Sequence, residues 1–325
     1  MHAIRQHEFG PPDVLGYEEV ADLGPAPDQV RIAVEACGVH LIDTQIRSGE
    51  GPEYYARPDL PMVPGREVAG VIDAVGTGVD ESLTGRRVVA HLGLASGGYA
   101  ESAVAPTEAL HEIPGQLDSD AAVAMIGTGR TAVATLETAA LRAEDVVLAT
   151  AAAGGLGSLF IQAARNAGAT VLGVAGGPEK TERVRELGAA VAVDYLDSDW
   201  AERVRDALGG RAVSVVLDGV GGALGREALE LLGPGGRMVV FGWSAGEPTK
   251  LTTMDVFDRY LTVTTGFGPD IGDPARKREL EAKALAEAAA GRWVPLLSRF
   301  PLAGAAAAHA ALERRATVGK TVLIP

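Results

Sequence analysis

Apolar and polar residues alternate over Val30-Arg31-Ile32-Ala33-Val34 and through much of residues 68–75, the period of two expected of strands with one buried face. Gly and Pro clusters punctuate this first third at Gly10-Pro11-Pro12, Gly24-Pro25-Ala26-Pro27 and Gly97-Gly98. Short strands with frequent turns predict a compact, barrel-like β domain. The pattern changes near Ser119. Residues 121–141 are Ala-rich and helical in character, interrupted at Gly127 and Gly129. Strand and helix patterns then alternate, with strands predicted over 146–149, 170–175, 191–193, 213–217, 237–241 and 261–264. Helices are predicted over 155–167, 178–187, 199–208 and 224–232. Short strands that are almost wholly apolar and separated by helices predict a doubly wound parallel sheet, buried on both faces. A helix over 274–290, a Pro-containing loop, a helix over 303–314 and a strand over 320–324 complete the chain.

Composition narrows the possibilities. The chain has 325 residues, enough for two domains, and its 47% hydrophobic and 22% charged content is ordinary for a globular protein. Asp and Glu outnumber Lys and Arg by 43 to 29, a net charge of −14, which argues against nucleic acid and anionic membranes as partners. The one cysteine, Cys37, has no partner for an internal disulfide and cannot build a Cys-rich zinc site; it reads as a small buried residue. Residues 146–164 carry no charge, but Gly154, Gly155 and Gly157 split them into strand, loop and helix rather than one membrane span. With no apolar signal core in the first residues, the expectation is a cytoplasmic protein.

The strand-to-helix junction Ala149-Thr150-Ala151-Ala152-Ala153-Gly154-Gly155-Leu156-Gly157 holds the first candidate chemistry. A dinucleotide fingerprint, G-x-G-x-x-G, would start at Ala152, so Gly154 and Gly157 fill its second and third places. The second glycine lets backbone approach a pyrophosphate, and the helix N-terminus offers free N–H groups to it. A plain tight turn is the alternative. The next strand ends in Val174-Ala175-Gly176-Gly177-Pro178-Glu179-Lys180, where a site for NAD would carry an acid for the ribose 2′-hydroxyl. Its absence, with Lys180 a few residues on, points to NADPH; the alternative for Lys180 is a solvated helix position.

Several segments together resemble the medium-chain dehydrogenase/reductase superfamily, and most closely its zinc-independent quinone oxidoreductase and zeta-crystallin branch. They are Gly38-Val39-His40-Leu41-Ile42-Asp43-Thr44, Arg47-Ser48-Gly49, Pro64-Gly65-Arg66-Glu67-Val68-Ala69-Gly70, Gly97-Gly98-Tyr99-Ala100-Glu101, the glycine loop, Asp218-Gly219-Val220-Gly221-Gly222 and Arg315-Ala316-Thr317-Val318-Gly319-Lys320. The resemblance implies an α/β chain: a GroES-like β-barrel-type domain from residues 1–120 and 268–325, and a Rossmann domain from residues 121–267, with the cofactor in the cleft. It implies that Lys180, Tyr195 and the Gly176 backbone hold the 2′-phosphate of NADPH. It assigns the rest of the cofactor to Thr131, Gly154, Gly155, Leu156, Gly157, Asp218, Val220, Phe241, Gly242, Phe267 and Lys320, with residues 218–222 forming a turn beneath it. A homodimer joined near residues 261–265 is also implied.

The zinc-dependent members of the superfamily bind catalytic zinc at positions corresponding to His40, Arg66 and a place near Gly127. Arginine stays charged and offers no lone pair, so no metal is expected. A site built from His40, Glu67 and a distant histidine is disfavoured by ligand spacing. Without a Lewis acid the hydride acceptor should already be electrophilic: a quinone, or alternatively an enone or enoyl substrate. A non-catalytic NADPH-binding, crystallin-like protein is the other alternative. Asparagine and two tyrosines usual in the branch are replaced by His40, Gln45 and Gly51. The candidate catalytic residues are therefore His40, as proton donor or as a pocket histidine holding ribose or Asp43; Tyr54, on a loop that is otherwise simply exposed; and Arg130, as an anion contact. Asp43 and Arg47 are expected to pair.

Overall fold

The computed structural model describes residues 1–51, 57–93 and 96–325, which divide into two compact units, Met1–Thr128 with Pro295–Pro325, and Gly129–Val294.

The first unit contains β1 (His2–Gln6), β2 (Leu15–Glu19), β3 (Gln29–Val39), α1 (Leu41–Ser48), β4 (Glu67–Val75), β5 (Arg87–His91), β6 (Ser102–Pro106), β7 (Leu110–Glu112) and α2 (Ser119–Ala124). A π turn over Met125–Gly129 follows α2. Strands β1 and β2 pair antiparallel, and a larger sheet runs β14 (Leu297–Pro301), β15 (Lys320–Ile324), β3, β4, β5, β7, with β6 also on β3. The alternation in β3 puts Val30, Ile32 and Val34 on one buried face, where they join Ile4, Val68, Ile72, Val88, Tyr99 and Leu323 in the core. Cys37 is fully buried there, and burial pushes its thiol up to about 12, so it is inert packing.

The second unit runs α3 (Arg130–Ala139), β8 (Val146–Ala149), α4 (Gly155–Asn166), β9 (Thr170–Ala175), α5 (Pro178–Glu186), β10 (Val191–Asp194), α6 (Trp200–Leu208), β11 (Val213–Asp218), α7 (Gly222–Leu231), β12 (Leu232–Val240), α8 (Thr253–Arg259), β13 (Thr262–Thr265) and α9 (Pro274–Ala289). Its six strands are parallel in the order β10-β9-β8-β11-β12-β13. Numbered within the sheet, that is 3-2-1-4-5-6, the doubly wound dinucleotide order, whose direction reverses between β8 and β11. The apolar strands bury Val146, Leu148, Leu172, Val174 and Val216 against Trp200, Val204 and Leu229. The chain then returns to the first unit through β14 (Leu297–Pro301), α10 (Ala305–Glu313) and β15 (Lys320–Ile324).

Four elements differ from expectation. Helix α1 stands in the third of the chain read as β-rich, and helix α8 stands where no element was expected. The Pro-containing loop holds β14, which pairs parallel with β15. Helix α9 was expected with the first domain, but it packs on α3 and belongs to the second unit, while residues 121–128 belong to the first. Among the described residues no helix is long and apolar enough to cross a membrane.

Candidate active site

In the second unit, the ends of β8 and β11 meet at the point where the strand order reverses, the place where doubly wound sheets open a ligand crevice. Thr150 donates its hydroxyl to Asp218 Oδ1 at 2.9 Å and accepts the Gly219 N–H at 3.0 Å. Asp218 Oδ1 also takes the Val220 N–H at 3.0 Å, and its Oδ2 takes the Thr249 hydroxyl at 2.8 Å. Asp218 is wholly buried, and its carboxylate shapes the turn over Gly219–Gly222. Val220 is buried as well, its N–H on Asp218 and its carbonyl on the Ala245 N–H.

The loop into α4 behaves as a fingerprint should. A Cβ on Gly157 would overlap the Ala151 carbonyl and press on Ala152 Cα, so only glycine lets α4 pack against the loop. Gly154 is the helix N-cap, and Gly155 and Leu156 open the first turn half-exposed. Helix α4 runs for 12 residues, and its N-terminal N–H groups favour an anion.

Beyond β9, Gly176 faces Tyr195, whose hydroxyl would lie 2.8 Å from a Cβ there. Lys180, half-buried, sits in the first turn of α5. These three expected residues are thus brought to one corner. Sequence reasoning missed Asp194, the last residue of β10, whose Oδ1 accepts the N–H groups of Gly177 and Leu196 at 2.9 Å each. Its acidity is directed into holding the loop. At the other end of the sheet, Phe241 follows β12 and packs edge-on against Phe160 at 5.0 Å, with Gly242 half-exposed after it. Phe267 follows β13 and is exposed. Thr131 lies in the first turn of α3. Arg130 pairs with Glu281 at 2.6 Å, so helix α9 already supplies the counter-charge for which a substrate anion was expected.

The first unit gathers a separate cluster around His40, the residue between β3 and α1. Asp43 Oδ2 accepts the His40 N–H at 2.8 Å and so holds the start of the helix. Glu67 is fully buried, with Oε1 2.7 Å from His40 Nε2 and Oε2 2.9 Å from Lys320 Nζ. Lys320 Nζ is also 2.9 Å from the same Nε2. One ring nitrogen cannot donate to the carboxylate and accept from the ammonium at once, so the two contacts compete for its proton. Room for the carboxylate comes from two glycines, Gly38 and Gly127, where any Cβ would overlap it. Burial pushes the Glu67 carboxyl up, but His40 and Lys320 outweigh that and hold it well below the usual range. Burial lowers the Lys320 ammonium despite the opposing pull of Glu67.

Asp43 does not pair with Arg47. It pairs with Arg66 at 3.1 Å, while Arg47 reaches Glu313 at 2.6 Å and the Gly10 carbonyl at 3.1 Å. Asp43 also accepts the Tyr99 hydroxyl at 3.2 Å, and that oxygen lies 3.2 Å from His309 Nε2. The Tyr99 proton is directed to Asp43, so His309 Nε2 carries its own proton and donates it. The other ring nitrogen, Nδ1, is buried without a partner. Burial pulls the His309 pKa down to about 4, although Asp43 opposes it. Sequence reasoning missed His309, and it set Glu67 beside His40 only as part of a disfavoured metal site, not as the buried partner of Lys320. Tyr54 lies outside the described residues.

A zinc ion does not fit these residues. Arg66 occupies one ligand position with its guanidinium on Asp43, Gly127 offers no side chain at another, and the Lys320 ammonium stands against His40 Nε2. Among the described residues no group of three or more His, Cys, Asp or Glu side chains is placed to hold a metal.

Comparison with known proteins agrees with both halves of this geometry. The alcohol dehydrogenase GroES-like domain matches residues 26–115, and the zinc-binding dehydrogenase domain matches residues 155–287. A quinone oxidoreductase of Pseudomonas aeruginosa is 34% identical over 322 residues, covering 98% of this chain and 97% of that protein. The chain belongs to the medium-chain dehydrogenase/reductase superfamily, in its quinone oxidoreductase branch. A second relative in this superfamily is a 2-haloacrylate reductase of a Burkholderia species, 33% identical over 335 residues and covering 98% of this chain and 97% of the relative. The solved structure of Escherichia coli quinone oxidoreductase complexed with NADPH superposes with a TM-score of 0.86 at 31% identity, covering all of both chains.

Proposed function

We propose that the chain is an NADPH-dependent oxidoreductase that passes hydride to an acceptor already electrophilic enough to need no metal, a quinone in the first instance. The observation that carries this reading is the 3-2-1-4-5-6 sheet whose switch point holds the Gly154–Gly157 loop, with an acid-free β9 end capped by Lys180 and Tyr195. The NADPH complex of the Escherichia coli relative supports it. Bound NADPH supplies the hydride. The chain's own residues do the rest: the α4 N-terminus and Gly154 backbone take the pyrophosphate, and Lys180, Tyr195 and the Gly176 backbone take the 2′-phosphate. Thr131, Phe241, Gly242 and Phe267 are assigned to the remainder of the cofactor on the family pattern.

Proton supply falls to His40. Its side chain is 22% exposed, with Nε2 turned inward to Glu67 and Lys320, and the ring also accepts the Asp43 N–H in the capping box of α1. Lys320 and Glu67 are placed to set the proton on Nε2, and through it the charge of the ring that serves the reduced acceptor.

A second reading, reduction of an activated alkene, is favoured by the 2-haloacrylate reductase relative. Turnover of a quinone and an α,β-unsaturated ketone, compared under one set of conditions with NADPH, separates the two. Fast quinone turnover with little on the enone supports the first reading. The reverse supports the second, and no turnover on either overturns both.

We further infer a homodimer in a reducing, cytoplasmic setting. The outer edge of β13 has no strand partner among the described residues, and beside it Phe257 and Tyr260 are 74% and 80% exposed. An open strand edge flanked by exposed aromatics suits self-association. The single, buried Cys37 suits a reducing compartment.

A further inference from the structure

One carboxylate oxygen closes the corner where β9 and β10 end. The two strands run parallel with Ala175 opposite Asp194, and both stop at that pair. Beyond it the chain leaves the sheet twice. After β9 it passes Gly176 and Gly177, the latter at φ +90°, and enters α5; after β10 it passes Tyr195 and Leu196. Each departure takes a backbone N–H out of the sheet ladder, that of Gly177 on one side and that of Leu196 on the other, and each needs a new acceptor. Asp194 Oδ1 takes both at 2.9 Å.

Tyr195 lies between the residue that supplies the carboxylate and a residue held by it. Its N–H goes to the Ala175 carbonyl at 3.2 Å, and its hydroxyl end lies against Gly176, 2.8 Å from where a Cβ would stand. The Gly177 carbonyl takes the Thr181 N–H at 3.1 Å, so the same clamp reaches the first turn of α5, which carries Lys180. The Gly176 backbone, the Tyr195 hydroxyl and Lys180 are thus set relative to one another through Asp194. A binding constellation loses its advantage when its donors drift by more than about 0.5 Å. By charge alone a carboxylate here repels a phosphate, and an acid at a strand end is also the group that holds a ribose hydroxyl. Its bonding decides the matter: Oδ1 is occupied by one backbone N–H from each loop, so what Asp194 supplies is position.

We propose that Asp194 is the positioning residue of the 2′-phosphate site, and that the preference for NADPH over NADH depends on its clamp between Gly177 and Leu196. The inference rests on the assignment of this corner to the 2′-phosphate and adds the residue that holds the corner in shape.

Adenosine 2′,5′-bisphosphate and adenosine 5′-monophosphate isolate the corner, since neither carries the nicotinamide end, and calorimetry on the full chain reads both. The native chain should bind the bisphosphate more tightly. Asp194→Ala removes the acceptor, and Asp194→Glu keeps the charge but moves it out by one methylene. Both should lose about tenfold in affinity for the bisphosphate, the effect of one charge-assisted contact out of place, with the monophosphate unchanged. Asp194→Asn drops the charge but keeps an acceptor oxygen at the same place, and should stay within about threefold of the native affinity. Should Asp194→Ala not fold, the contrast between Asp194→Glu and Asp194→Asn decides alone. A purely electrostatic part for Asp194 predicts the reverse order of those two variants, and that order would overturn the proposal. So would bisphosphate affinity unchanged in Asp194→Glu, an equal loss for both nucleotides, or a loss of monophosphate binding in Asp194→Asn, which would make the carboxylate a ribose contact. Equal affinity of the native chain for the two nucleotides would remove the 2′-phosphate assignment itself, and the proposal with it; every other adverse result overturns the proposal and leaves that assignment standing.

Discussion

His309→Gln isolates one buried group whose charge state opposes folding in acid. His309 is fully buried, donates Nε2–H to Tyr99 and leaves Nδ1 without a partner, so only the neutral ring is accommodated. Its pKa is about 4 in the fold, against an ordinary value of 6.5. A group whose pKa is depressed on folding binds more protons when unfolded. Stability is therefore unaffected above about pH 7, falls as pH drops below 6.5, and stops falling below about 4. A gap of roughly 2.5 pH units corresponds to about 3 kcal/mol in full, and about 2 kcal/mol is already lost at pH 5. Glutamine keeps an N–H for Tyr99 and removes the titration. Other groups, Glu67 and Asp43 among them, titrate in both proteins and largely cancel. Because the chain has two units, hydrogen exchange of β3 and β15 amides is a better assay than a global melt, since both strands lie in the unit that holds His309. Between pH 7.5 and pH 5, amide protection in His309→Gln should gain about 30-fold on the native chain, the equivalent of about 2 kcal/mol. Parallel pH dependence in the two proteins would refute the reasoning.

Lys180→Ala should weaken NADPH binding about tenfold or more and leave NADH binding unchanged, as read by fluorescence titration with the two nucleotides. An unaltered preference would remove Lys180 from the 2′-phosphate site. Glu67→Gln strands the Lys320 ammonium, itself only 5% exposed, and should cost about 3–5 kcal/mol in urea unfolding; adding Lys320→Met should restore most of it. His40→Ala should lower quinone turnover and alter its pH profile with little effect on NADPH affinity; a loss of NADPH affinity with the hydride step unchanged would make His40 a pocket residue.

What the sequence revealed is what local pattern records. Strands β8, β9 and β15 fall where alternation or apolar runs placed them, because a run bounded by Gly or Asp leaves little freedom in its ends. The glycine loop and the acid-free end of β9 were readable because each is a requirement of backbone geometry or charge at a fixed offset from a strand. Helix α1 and strand β14 were missed for the opposite reason. Helix α1 follows β3 after one residue and is marked only at its ends, by Asp43 and the left-handed Gly49, while β14 starts two residues after Pro295 and ends on Pro301, where proline argues against a strand. The side-chain partnerships of the site were the least legible. Asp43 and Arg47 are one helical turn apart and looked like a pair, yet Arg47 is taken by Glu313, 266 residues away. Tyr99 and His309 meet across 210 residues. Lys320, Glu67 and His40 converge only because three strands of one sheet carry or adjoin them, and the glycines that make room for Glu67 show their purpose only once the carboxylate is seen between them.

The central claim is that this chain uses NADPH, held by the loop after β8 and the corner of Gly176, Lys180 and Tyr195, to reduce an electrophilic acceptor. The most direct test is the rate of quinone reduction with NADPH and with NADH as alternative donors at equal concentration, followed by loss of the reduced-nicotinamide absorbance. NADPH should be favoured at least about tenfold in kcat/KM, the worth of one charge-assisted contact to the 2′-phosphate. Equal use of the two donors, or a preference for NADH, would contradict the account.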